Sequence, residues 1–186
     1  MTSTIATKPN YITGTWKLDP THARVSFTVK HLMISKVRGS FDSFDVTIVT
    51  ADDPNNNTIE AVIDVASVNT GQEARDNHLR TSDFFLVEEY PTMTFVSTSM
   101  KDDGNDEFTL IGDLTLRGVT RPVTLKGEFG GVITDDYGMT RAGATASTTI
   151  NRLDFGVNWN APIEAGGFTL GDNVKIELDL EVILQK

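Results

Sequence analysis

The sequence predicts an all-β chain, an antiparallel β-barrel of about eight strands with one short helical insert around residues 70–88. Three observations carry this expectation. Apolar and polar residues alternate with a period of two along most of the chain, as strands with one dry and one wet face require. Clusters of Asp, Asn and Gly separate the alternating runs and supply the backbone freedom that hairpin turns need. One segment, beginning at Thr70, breaks the period.

The elements follow in order. A first strand is read at Trp16 to Leu18. In the next, Val25, Phe27, Val29 and His31 alternate with Ser26, Thr28 and Lys30. Further strands are read at Phe41 to Thr50, Thr58 to Val68, Thr92 to Thr98, Glu107 to Leu116, Val119 to Phe129 and Thr140 to Asn151. The last is the clearest, with Val174, Ile176, Leu178, Leu180 and Val182 alternating with Lys175, Glu177, Asp179 and Glu181. Turns are expected at Asp52 to Asn57, Asp102 to Asp106 and Asp135 to Gly138, and a tighter one at Arg117-Gly118. Gly130-Gly131 and Gly166-Gly167 read as bends or bulges.

In the segment that breaks the period, Thr70-Gly71-Gln72-Glu73 fits a capping box with Thr70 as the cap, and Ala74 to Arg80 continues as helix. Arg75 and Leu79, four apart, share a face. A second turn covers Ser82 to Val87 and ends before Tyr90-Pro91, where the proline disfavours helix in the residue before it. Hairpin-linked strands of this number form a barrel or a sandwich. Pairing of the strand near Trp16 with the C-terminal strand closes the sheet and removes its exposed edges, so a barrel is expected.

The chain has 186 residues, 39% of them hydrophobic, enough for one well-buried core in one domain. Its formal net charge of -10 opposes nucleic-acid binding and disfavours anionic membrane surfaces, since both need clustered Lys and Arg. The absence of cysteine excludes disulfides, thiolate metal sites and a cysteine nucleophile. Residues 1–12 read as a flexible leader without the pattern of a secretory signal, from which a cytoplasmic location is expected.

Several motifs in order resemble the YceI-like family. They are Trp16, Asp19 and His22; Phe27, His31, Gly39 and Phe41; Arg75-Asp76-Asn77-His78-Leu79, Ser82, Phe84-Phe85 and Tyr90-Pro91. The match continues through Gly112-Asp113-Leu114-Thr115, Gly118 to Pro122, Asn151 to Gly156 and Asp172-Asn173-Val174. The resemblance covers nearly everything after residue 14 and implies an extended, lipocalin-like barrel whose apolar lumen holds a polyisoprenoid or similar long-chain amphiphile. Many relatives carry a signal peptide that is not read here, which sets periplasmic roles apart.

The residues themselves leave two readings open at each candidate. Phe27, Phe41, Phe44, Phe84, Phe85, Phe95, Phe129, Phe155 and Trp159 either line a lipid tunnel or fill a solid core. Arg75, Asp76 and His78 either orient a head group or pin the helix to the barrel, with Asp76 paired to Arg75 or Arg80. His31 shares the parity of Phe27 and reads as a polar group at one end of the lumen or as a core histidine bonded to backbone. Arg152 reads as a bonded structural residue at a strand end, or as a head-group contact. His22, His31 and His78 lack the spacing of a metal site, so neither a metal nor a cofactor is expected.

With no nucleophile elbow and no nucleotide fingerprint, the leading reading is a non-enzymatic carrier of an isoprenoid quinone, a polyprenyl chain or a comparable fatty amphiphile. Transient membrane contact and a homodimer are compatible with it. The alternatives are an enzyme using His78 with Asp76 or His31, and a solid-core, stress-related interaction protein.

Overall fold

The computed structural model describes residues 10–186. Its strands are β1 (Gly14–Leu18), β2 (Arg24–His31), β3 (Ser35–Phe41), β4 (Phe44–Thr50), β5 (Thr58–Asp64), β6 (Val68–Asn69), β7 (Thr92–Gly104), β8 (Glu107–Leu116), β9 (Val119–Thr134), β10 (Thr140–Asn151) and β11 (Leu170–Leu184). A single α-helix among the described residues, α1 (Glu73–Arg80), lies between β6 and β7. The strands β1, β4, β5, β7, β8, β9, β10 and β11 form a closed antiparallel ring of eight. Closure is the pairing expected from the termini, with Trp16 opposite Leu184 and Lys17 opposite Ile183.

Beyond this ring the barrel is prolonged on one side. β2 continues along β11 past the end of β1, β3 pairs with β2, and β6 pairs with β3. On the other side α1 and the segment after it complete the wall, tied down where the Arg117 guanidinium donates to the carbonyls of Ser82 and Phe84. The helical insert is therefore part of the lower barrel.

Four local expectations are corrected. The run from Phe41 to Thr50 is two strands, broken at Asp42-Ser43 as the chain passes from the prolongation into the ring. β3 itself was not legible, because Val37 and Gly39 give Ser35 to Ser40 too little apolar alternation. The run from Thr58 to Val68 is interrupted by a 3-10 turn at Val65–Ser67, whose start is capped by the Asp64 carboxylate. The cap of α1 is Gln72, whose Oε1 accepts from the Ala74 and Arg75 amides. Thr70 instead donates its amide and hydroxyl to the Asp76 carboxylate, at 2.9 and 2.6 Å. The residues after α1 form turns over 82–85 and 87–89, where a second turn was read.

Of the expected leader, residues 1–9 lie outside the described residues, whereas Tyr11 is docked by donating its hydroxyl to the Ala51 carbonyl and Asn57 Oδ1. Arg117-Gly118 forms the expected tight turn with both residues at positive φ. The slip in pairing opposite Gly130 and Gly131 is the expected bulge.

A polar node ties the ring closed at its seam. Arg141 on β10 donates to Asp19 Oδ2, Asp135 Oδ2 and Glu181 Oε1, while Thr21 and His22 bond the Asp19 carboxylate. The Thr21 hydroxyl, then the His22 ring, hold the Asp19 carboxyl well below its usual range. A value lowered on folding adds stability above the unfolded carboxylate pKa of about 3.9, and that stability is lost as pH falls through the folded value. Acidification below about pH 4 is thus expected to lower the urea midpoint of the wild type. Asp19→Asn should lose ~2 kcal/mol at neutral pH and show a flatter acid limb, as urea titrations across pH would read. Asp19, His22 and Glu181 bring ligand atoms within 4.8 Å of one another, but Arg141 supplies the positive charge at their centre.

Candidate functional site: two apolar chambers and a polar rim

The interior is neither a solid core nor one open tunnel. A lower cavity of about 280 Å³ lies inside the prolongation, and an upper one of about 150 Å³ lies at the far end of the ring. The inward side chains of β8 mark the division. Phe108 lines the upper cavity, Leu110 and Leu114 are buried between the two, and Leu116 lines the lower. Phe95, opposite Leu114, and Leu125, opposite Leu110, share this packed waist.

The cavities stay open because large rings lie flat against the wall. Phe27 lies over Gly39, Phe95 over Gly112 and Phe108 over Gly127, each so closely that a methyl group on the glycine would overlap the ring. A neighbouring strand that offers no side chain lets the ring turn sideways instead of crossing the lumen.

The lower cavity gathers Phe27, His31, Phe41, Arg75, His78, Phe84, Phe85 and Trp159. β2 and β3 supply the first aromatics, α1 supplies Arg75, His78 and Leu79, and the loop before β11 supplies Trp159. Aromatic contacts knit this wall. The His78 ring stands edge-on to Phe84 and Trp159 at 5.0 Å from each, and Phe41 packs at 5.6 Å from Phe27 and 6.0 Å from Phe85.

The remaining predicted residues go elsewhere. Phe129 lines the upper cavity. Phe95 belongs to the waist, while Phe44 packs against the core and Phe155 is fully buried, neither of them lining a chamber. Asp76 is buried against Thr70 and faces the outer surface, so it pairs with neither Arg75 nor Arg80, and His78 has Asp83 as its carboxylate neighbour at 2.7 Å. Arg80 instead donates to the carbonyls of Ala66 and Val68.

At the rim Arg75 is exposed and uses Nε and Nη2 on the Thr70 hydroxyl and carbonyl, leaving Nη1 without a hydrogen-bond partner among the described residues. Arg152, Thr169 and the half-buried His31 add polar groups to a mainly apolar lining.

Sequence reasoning missed the upper cavity, walled by Trp16, Ile48, Met100, Phe108 and Val182. The signal was present in the inward parity of Phe108 and Val182, but parity says nothing about whether opposite walls touch. Arg152, read as a strand-end residue, is 5% exposed and donates to the carbonyls of Gly171, Val157 and Trp159. Burial pushes its guanidinium below the usual value, with Asp172 opposing.

The family's sequence profile, described as the YceI-like domain, matches residues 16–182. The chain belongs to the YceI-like family. It is similar to a UPF0312 protein of Staphylococcus aureus strain MSSA476, at 42% identity over 88% of this chain and 94% of that protein. The crystal structure of a Campylobacter jejuni YceI protein superposes with a TM-score of 0.74 and 32% identity, covering 84% of this chain and 90% of that one. A polyisoprenoid-binding domain from Saccharophagus degradans, implicated in plant cell wall breakdown, shares the fold at a TM-score of 0.70 and 17% identity, over 91% of this chain and 98% of that one. Among YceI-like proteins the fold read here is thus the extended barrel expected from the motifs. No helix among the described residues is long and apolar enough to cross a membrane.

Proposed function

We propose that this YceI-like chain binds a long-chain apolar amphiphile of the polyisoprenoid class in its lower cavity and carries it chemically unchanged. The observation that carries this reading is the cavity of about 280 Å³, beside which Phe27 lies flat over Gly39, edged by Arg75, His78, His31 and Thr169. The polyisoprenoid-binding domain of Saccharophagus degradans on the same fold supports the ligand class. Each five-carbon isoprene unit contributes roughly 4 kcal/mol gross at about 0.8 kcal/mol per carbon, so a few buried units give useful affinity after ordering costs. The free Nη1 of Arg75 suits a head-group oxygen, whether of a carboxylate, phosphate or quinone carbonyl.

Organic extraction of natively purified protein followed by mass spectrometry tests the proposal. A long-chain lipid near one per chain is expected, and an added isoprenoid should come back unaltered. Arg75→Ala should keep the fold and reduce retained lipid several-fold, the loss of one charge-assisted hydrogen bond. An empty extract from native material would end the carrier reading, and a converted isoprenoid would replace it with catalysis by the His78 and Asp83 pair.

A further inference from the structure

The hairpin of β2 and β3 has a charge and shape unlike the rest of the molecule. In a chain with 26 acidic residues, Pro20 to Phe41 contains none, yet it holds Arg24, Lys30, Lys36 and Arg38. Near the base, Arg24 lies opposite Asp179 of β11, and Arg38 acts on the Glu177 carboxylate. Toward the tip, Lys30 and Lys36 face each other across the pair, both exposed and without an ion pair among the described residues. Like charges placed directly opposite destabilise a hairpin, so local stability does not explain them.

The tip is apolar where tips are ordinarily polar. Leu32 and Met33 occupy left-handed backbone at φ 50° and 62°, positions that favour Asn and Gly. Met33 and Ile34 are 69% and 87% exposed. The Leu32 amide donates to the Thr169 carbonyl at 2.8 Å, and the Met33 thioether lies against Gly167, which fastens the tip to the loop that presents Phe168, itself 58% exposed. His31, Thr169 and Leu170, next to this patch, line the lower cavity. The acids on the adjoining segments are Glu164 and Asp172. At the opposite end of the barrel, exposed Ile133 and Tyr137 sit beside Asp135 and Asp136, so the combination of apolar tip and basic flank belongs to the lower end.

We propose that the β2–β3 hairpin, with Met33, Ile34 and Phe168 at its apex and Lys30 and Lys36 behind it, docks the barrel on an anionic lipid bilayer beside the lower cavity. Apolar side chains enter the interface while the two ammonium groups meet lipid phosphates. The net charge of -10, which disfavours anionic surfaces for the chain as a whole, acts on a bilayer only through the groups nearest to it. At about 0.1 M salt the screening length is ~10 Å, so the surface responds to the hairpin that meets it first and little to acids farther along the barrel. Docking goes beyond the proposed ligand and does not require the cavity to be filled.

Flotation of the full chain with vesicles tests the docking. Binding is expected to vesicles containing phosphatidylglycerol and to be much weaker with phosphatidylcholine alone. Replacing Lys30→Ser and Lys36→Ser together should weaken it about 30-fold, from roughly fivefold for each basic residue near such a surface. Ile34→Asp should abolish it, and raising the salt should weaken the wild type. These exposed replacements leave the fold and the extractable lipid unchanged, so the ligand and the docking surface are tested separately. Failure of the wild type to float with either vesicle, or wild-type flotation by both variants, overturns the proposal. So does a hairpin-dependent dimer in sedimentation without flotation, which would assign the patch to a second copy of the chain.

Discussion

Ile176→Trp is expected to strip the protein of retained amphiphile, lowering extractable lipid tenfold or more while the chain stays folded. Ile176 projects from β11 into the lower cavity, opposite Phe27 of β2 and Thr148 of β10. An indole there occupies space that is otherwise open, so the cost should stay below the ~1–3 kcal/mol of overpacking a filled core. Mass spectrometry of the extract and the urea midpoint read the two halves of this expectation independently. Ala144→Trp is the matching control, since Ala144 lines the upper cavity of about 150 Å³. Loss of lipid in the control alone would move the binding site to the other end of the barrel. A folded Ile176→Trp protein with wild-type lipid content would remove the lower cavity from consideration.

Arg152→Ala is expected to cost about 3–5 kcal/mol, a large share of the 5–15 kcal/mol typical of a domain. Its guanidinium holds the Gly171 carbonyl at 2.9 Å, that of Val157 at 2.7 Å and that of Trp159 at 2.9 Å. Truncation leaves these acceptors without their donor and opens a void beside Phe155 and Val157, both buried. Arg152→Lys keeps the charge but replaces the planar fork with a single ammonium, so it should recover less than half of the loss. Urea unfolding at constant m-value measures both variants. Because the same bonds fix the loop that carries Trp159 into the lower cavity, lipid retention should fall with stability. A midpoint within experimental error of the wild type for Arg152→Ala would show that the three bonds contribute little.

Much of the architecture was legible in the residues. The alternation at Val174 to Val182 specified a strand with one buried face, and the same parity sent Phe27 and His31 inward. Arg75 and Leu79 reached one cavity from one helical face, as a spacing of four requires. The failures have a common cause. β3 was hidden because the apolar cover over Gly39 comes from Phe27 on the neighbouring strand, which the pattern of β3 itself does not contain. Thr70 looked like a cap, and Asp76 like the partner of an arginine, until the backbone placed the two in contact with each other.

The period-two pattern, the turn chemistry and the family motifs determined a YceI-like barrel closed by its first and last strands, with an aromatic and basic cluster on its helical insert. Tertiary structure alone decided that the interior has two chambers divided at Leu110, Phe95 and Leu114, that His78 meets Asp83, and that four basic residues share one hairpin of an acidic molecule. Parity is a local property of one strand. The distance between opposite walls depends on the closure and register of the whole sheet, and on glycines in neighbouring strands that let large rings lie flat.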